Sequence, residues 1–451
     1  MSQASQRKKA VTPPEWFART SIYQINPRTF CKEGTIKAVT AELPFLAELG
    51  FDTMYICPIF EEDVSENRDN WSERQKKYGT ENPKNPYRMN DYFAIDEEYG
   101  TMEDLREFVR ESHKLGMKVL FDLVYLHIGP NARIFEEHPE FAMHDEQGNV
   151  ILSEWMFPRL NYECEGLREY LWCNMTYFIG VIGIDGFRCD VGDAVPLDFW
   201  IEGRRRIQAI KPDAVMLNEG SNWEYLEQGF DSSYCMSWHG RLRRALDGRD
   251  PVTMLRQRHQ EIAADAPEGA VLMRDFDNHD TVTDWPSRNE VLAGHDGMEL
   301  VQALNYTIDG IPMVYCGNEL ADTANLNMFA NRFYMGKYEV TDRSLKDTDA
   351  ALRRGEVIKK LNALKREKDA LVYGSTVWLD NDAPENVLSF ARVHGDKKIV
   401  FIGNITRDAC ECTVDGIDVQ NGNILLQSQT AAQSKDGRLS MPAFSYLIVE
   451  Y

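Results

Sequence analysis

Eight short apolar runs, rich in β-branched and aromatic residues, alternate with stretches of helical spacing between residues 16 and 375 of this 451-residue chain. The runs fall at 21–25, 52–60, 118–124, 186–189, 214–217, 234–238, 270–276 and 311–315. Helical stretches at 35–49, 102–115, 166–179, 197–210, 252–264, 298–308 and 355–368 separate or follow them, with Gly50 and Gly116 standing where helices stop. Regular β/α succession predicts an α/β fold with parallel strands, and eight units predict a closed (β/α)8 TIM barrel. An open doubly wound sheet is the rival, but no glycine-rich fingerprint follows the first strand.

The remaining segments read differently. Residues 1–15, ending at Pro13-Pro14, are expected to be a disordered lead. Residues 16–375 form the expected catalytic barrel, with a polar loop of roughly 40 residues after strand 2 and a short inserted segment, about 128–165, after strand 3. From 376 to 451 short β runs are separated by turns at Gly395-Asp396, Asp415-Gly416, Asn421-Gly422 and Asp436-Gly437, which predicts a C-terminal antiparallel β domain. That domain shows no row of tryptophans on which sugars could stack, so it reads as a packing module.

Net charge of −22 argues against nucleic acid and anionic membranes as partners and suits a neutral small molecule. No stretch approaches the roughly 20 apolar residues that span a bilayer. Nine cysteines without a CxxC pair, and a polar start at 1–10 with no apolar leader region, point to reduced thiols and a cytoplasmic location. Oligomeric state leaves no trace in this pattern.

In a parallel barrel every strand ends on one face, so charged residues at strand ends share a pocket. The ends here carry Asp122 and His127 after strand 3, Arg188 and Asp190 on strand 4, Asn218 and Glu219 after strand 5, and Asp277, Asn278, His279 and Asp280 after strand 7. Asp190 beside Arg188 is expected to stay ionised and to suit nucleophilic attack. Glu219 follows the apolar Val215-Met216-Leu217 with no basic neighbour in sequence, so burial is expected to raise its pKa for proton donation. Asp280 is a third carboxylate facing the same space, and Tyr87 offers a ring for stacking. Two carboxylates in different protonation states are what glycoside hydrolysis needs. A metal centre is the competing reading, yet there is no HExxH and no close pair of histidines.

These residues resemble the α-amylase family of retaining glycosidases and transglycosidases, glycoside hydrolase family 13. The resemblance rests on Asp122-Leu123-Val124-Tyr125-Leu126-His127, Gly186-Phe187-Arg188-Cys189-Asp190, Glu219, and Phe276-Asp277-Asn278-His279-Asp280, in the family's order. It implies Asp190 as nucleophile, Glu219 as general acid/base and Asp280 as transition-state stabiliser. It further implies Arg188 orienting the nucleophile, His127 and His279 binding the sugar, and Tyr87 stacking beneath it. Leu126 stands where the family usually has a calcium-ligating asparagine, so no calcium, and no other metal or cofactor, is expected there. Asp193-Ala194 replaces a Lys-His pair often found in enzymes of longer maltose chains, which implies short substrates. The expected activity is hydrolysis of α-glucosidic bonds in short oligosaccharides through a covalent glycosyl-enzyme. Transfer of the glycosyl group to a sugar, as in transglycosylases and sugar isomerases, is the alternative. A catalytically silent sugar binder would have lost a carboxylate, and all three are present. The long loop after strand 2 is expected to close the pocket around two or three sugars.

Overall fold

The computed structural model describes residues 7–429, 433–435 and 437–451. Eight parallel strands close a barrel: β1 (Ile22–Ile25), β2 (Thr53–Ile56), β3 (Lys118–Leu123), β4 (Gly186–Cys189), β5 (Val215–Asn218), β6 (Ser232–Tyr234), β7 (Leu272–Arg274) and β8 (Ile311–Tyr315). Each pairs with its sequence neighbours, and β8 closes onto β1 through Ile22↔Met313. The fold is the expected TIM barrel with a C-terminal antiparallel sheet.

Helices cover the outside. Ile36–Glu48 and Met102–Lys114 end at Gly50 and Gly116, whose φ values of 85° and 77° suit a residue without Cβ. Thr101 and Asp104 form a reciprocal capping box at the start of the second helix. Inside the barrel Ile22, Tyr55, Leu120, Val215, Leu217, Met273 and Ile311 pack together, and Phe17 joins them. The barrel interior is therefore solid below the pocket.

Of the expected disordered lead, residues 1–6 lie outside the described residues. Residues 7–15 correct that expectation: Ala10 N donates to Glu268 O (2.9 Å), Val11 N donates to Leu226 O (2.8 Å), and Glu15–Ala18 is a helical turn. The sixth strand is also shorter than expected, because a helix begins at Met236. Tyr234, Met236 and Trp238 alternate like strand residues, but Met236 is exposed and the buried face is helical, through Trp238, His239, Leu242 and Arg243.

The loop after β2 holds regular structure that its polar composition concealed. Phe60–Glu62 pairs antiparallel with Met89–Ile95, and Glu73–Lys77 is a short helix between them. Its base is tied to the barrel by charge. Buried Arg28 contacts Glu62 and Glu98, both at 2.8 Å, and Lys84 contacts Asp96 at 2.6 Å. Gln75 donates to three carbonyls of residues 82–84.

Five strands of the C-terminal unit form one sheet, in the order Ser375–Trp378, Val387–His394, Lys397–Asn404, Tyr446–Glu450 and Asn423–Gln427. A three-stranded sheet packs on one face through Val387, Ala391, Val400, Ile402, Leu447 and Val449. The alternate residues Leu388, Phe390, Ile399, Phe401 and Ile448 face the barrel's core cluster. Gly437 has the positive φ of a turn residue, while its expected partner Asp436 lies outside the described residues.

Candidate active site

Strand period places the chemistry. Side chains two apart share a face, so the inward rows run Leu120 to Asp122, Gly186 to Arg188 to Asp190, and Val215 to Leu217 to Glu219. Ladder register sets Asp122 beside Arg188 and Arg188 beside Leu217. The backbone continues this pattern one step beyond the strands: Asp190 N donates to Leu123 O (2.8 Å) and Glu219 N to Cys189 O (3.0 Å). Both carboxylates thus leave the barrel top side by side.

Arg188 is fully buried and serves three acids. Its Nη1 donates to Asp122 Oδ1 and Asp190 Oδ1, both at 2.8 Å. Its Nη2 stands 2.8 Å from Glu219 Oε2, an ion-pair contact without hydrogen-bond alignment. Val191 N donates to the same Glu219 oxygen at 2.9 Å. Glu219 therefore has the basic neighbour that its sequence context lacked, because strand pairing brings Arg188 beside it.

Asp190 departs from expectation too. Burial pushes its carboxyl well up from the usual range, and the charges of Glu219 and Asp122 add to that while Arg188 opposes it. At Asp190 the single cation of Arg188 does not offset burial and the two neighbouring acids.

Asp280 has the opposite environment. Burial disfavours its charge, but His279, Arg74 and Arg188 outweigh that, and its pKa lies well below the usual carboxylate range. Arg74 Nη2 donates to Asp280 Oδ1 at 2.8 Å and also contacts Asp284 at 3.0 Å. His279 lies behind this wall, with Nδ1 2.8 Å from the Gln24 amide and Nε2 2.6 Å from the Tyr87 hydroxyl. Tyr87 also donates to Asp122 Oδ2 (3.0 Å), an oxygen that Tyr55 reaches at 2.6 Å.

A pocket of about 470 Å³ is lined by Tyr87, His127, Trp155, Asp190, Glu219, Asp280, Arg74 and Phe329, among others. His127 Nε2 donates to the Tyr87 carbonyl at 3.1 Å, so the neutral ring presents Nδ1 as an acceptor with no partner among the described residues. Burial pulls the His127 pKa down to about 4. Trp155 and Phe157 pack on the ring at 5.4 and 5.0 Å between centroids. Leu126 is buried in the core, and its hydrocarbon side chain offers no ligand.

All seven expected site residues thus gather at one face, five on the pocket wall and Arg188 and His279 just behind it. Sequence reasoning missed Arg74, Trp155, Phe329, Tyr55 and Gln24. Arg74 sits in the charged run Glu73-Arg74-Gln75-Lys76-Lys77, which looks like a solvated helix face. Only the fold shows that it crosses to Asp280.

An eight-stranded parallel barrel with acids clustered at the C-terminal strand ends places the chain in the barrel class whose active sites occupy that face. A family model described as "Alpha amylase, catalytic domain" matches residues 12–151. A cyclomaltodextrinase of Thermoanaerobacter pseudethanolicus is 24% identical over 449 residues, covering 87% of this chain and 71% of that protein. Neopullulanase 2 of Thermoactinomyces vulgaris is 25% identical over 460 residues, covering 88% and 71%. The crystal structure of a noncanonic maltogenic α-amylase from Thermotoga neapolitana superposes with a TM-score of 0.80 at 24% identity, over 96% of this chain and 99% of that one. The chain is thus similar to the α-amylase catalytic domain over residues 12–151 and, at 24–25% identity, to a cyclomaltodextrinase and a neopullulanase over most of its length.

Proposed function

We propose that this protein is a retaining glycosidase that cleaves α-glucosidic bonds in short oligosaccharides. The observation that carries the reading is the single guanidinium of Arg188 joining Asp190 and Glu219 in a pocket whose third acid, Asp280, is held ionised. A shared cation keeps the two carboxylates close, in line with the short separation, about 5–5.5 Å, of enzymes that form a covalent intermediate.

In the first step Asp190 Oδ bonds to the anomeric carbon while the bond from that carbon to the glycosidic oxygen breaks. The departing electron pair goes to that oxygen, which takes a proton from Glu219. Ionised Asp280 favours the positive charge that develops on the sugar ring. In the second step Glu219 takes a proton from water, whose oxygen bonds to the anomeric carbon and releases Asp190. Tyr87 and Trp155 supply aromatic surface for the sugar, and His127 an acceptor for a hydroxyl. The related proteins named as cyclomaltodextrinase and neopullulanase agree with α-linked glucose as the substrate class.

The test is product analysis on maltose, maltotriose, isomaltose, sucrose, trehalose and nigerose by chromatography and anomer-resolving NMR, beside Asp190→Ala. Release of an α-anomer by the wild type and none by the variant is the expected result. Rearranged oligosaccharides would replace water with a sugar as acceptor, and a β-anomer product would overturn retention.

A further inference from the structure

The loop after β4 does more than present Asp190, because it also grips the segment that carries Glu219. Asp193 is half-buried and accepts three hydrogen bonds from the β5 end: Asn218 Nδ2 (2.8 Å) on Oδ1, and Ser221 N (2.6 Å) and Asn222 N (2.8 Å) on Oδ2. These donors lie on both sides of Glu219. Between them Gly220 passes so close that an added Cβ would stand 2.1 Å from Asp193 Oδ1, leaving no room for any larger residue.

Two more contacts complete the clasp. Gly192 N donates to Glu219 O at 3.1 Å, and Val191 N donates to Glu219 Oε2 at 2.9 Å. Val191 makes this bond from φ 40°, a left-handed conformation that a β-branched residue rarely adopts. Such strain persists where surrounding bonds over-determine the backbone. Ser233 holds Gly220 from the other side, its Oγ donating to Gly220 O at 2.7 Å.

We propose that Asp193 is a positioning residue for the general acid, setting the place of the Glu219 carboxyl through residues 218–222. This rests on the glycosidase reading of the pocket. Hydrogen bonds to a carboxylate are among the stronger ones, and three converge here, two from backbone N–H groups and one from the Asn218 amide. Proton donation needs a reach of about 2.6–3.2 Å to the leaving oxygen, and a displacement of about 1 Å costs on the order of 10²-fold.

Leaving groups tell this role from general support of the fold. Fluoride departs from α-glucosyl fluoride without needing a proton, whereas the oxygen of an α-glucoside needs one. Because Glu219 also acts as base in the second step, the readout is kcat/KM, which reports formation of the glycosyl-enzyme: Asp193→Ala is expected to lower kcat/KM by about 10- to 100-fold on the glucoside that the wild type hydrolyses and by less than about threefold on the fluoride. Asp193→Asn retains an acceptor for Ser221 and Asn222, and its amide can face Asn218 Oδ1, which has no partner among the described residues. It is expected to restore kcat/KM on the glucoside to within about threefold of wild type. Glu219→Gln sets the scale of complete acid loss. Equal losses on both substrates in a variant with the wild-type melting curve, or no loss on either, would overturn the proposal. Should Asp193→Ala not fold, Asp193→Glu, which displaces the carboxylate by one methylene, carries the same expectation of unequal loss. Failure of the wild type to turn over both substrates would instead overturn the glycosidase reading.

Discussion

His127 shows how a single buried group ties the pocket to pH. Its pKa falls from the usual 6.5 to about 4 because burial penalises the charged ring, while the unfolded chain keeps the ordinary value. Between those values the unfolded state binds more protons, so this group contributes stability above pH 6.5 that is lost as pH falls towards 4. The size is on the order of 3 kcal/mol. Asp190 acts with the opposite sign, since its raised pKa favours the folded chain at lower pH. The difference between wild type and His127→Asn isolates the histidine. Urea melts at pH 7 and pH 4.5 should show the wild type losing more stability than the variant; equal losses would remove His127 as the cause. Arg188, by contrast, gathers the site, and its worth lies in geometry more than in any one ion pair.

At the scale of elements, the C-terminal sheet is a brace with two unlike faces. Phe390 and Phe401 stack at 5.3 Å and face the barrel, fully buried. Phe401→Ala should cost about 3–5 kcal/mol, seen as a shift of the denaturant midpoint, while kcat of the folded fraction stays at the wild-type level. A fall in kcat without a shift would contradict this division of labour. The barrel strands and the β runs of the C-terminal domain were legible in sequence because strand period and glycine turns are local signals. Other features were hidden for physical reasons. The hairpin Phe60–Glu62 with Met89–Ile95 joins segments far apart and full of charge. The Arg188 contact to Glu219 crosses between strand ends, and the Arg74 contact to Asp280 joins the β2-loop helix to the end of β7 across 206 residues. Asp190 and Glu219 were found as acids, yet their electrostatic surroundings could not be read from flanking residues. Pairing across strands, not adjacency along the chain, decides what a buried charge meets.

The molecule as a whole is built around one narrow pocket with a wall from the β2 loop. Arg74 lies over the Phe329 ring at 5.5 Å and is paired with Asp280, so it closes part of the space beside the acids. Arg74→Ala should raise the rate on maltotetraose relative to maltose, measured as a ratio of kcat/KM. An unchanged ratio would show that this wall does not set substrate length. The anchors beneath it, Arg28 with Glu62 and Glu98, are wholly buried. Removing one partner from such a group costs about 3–5 kcal/mol, so thermal opening by that route is rare. On the proposed glycosidase reading the wall would act as a fixed gauge between sugars of different length, and turnover is expected to drop at one chain length in a step instead of fading by degrees.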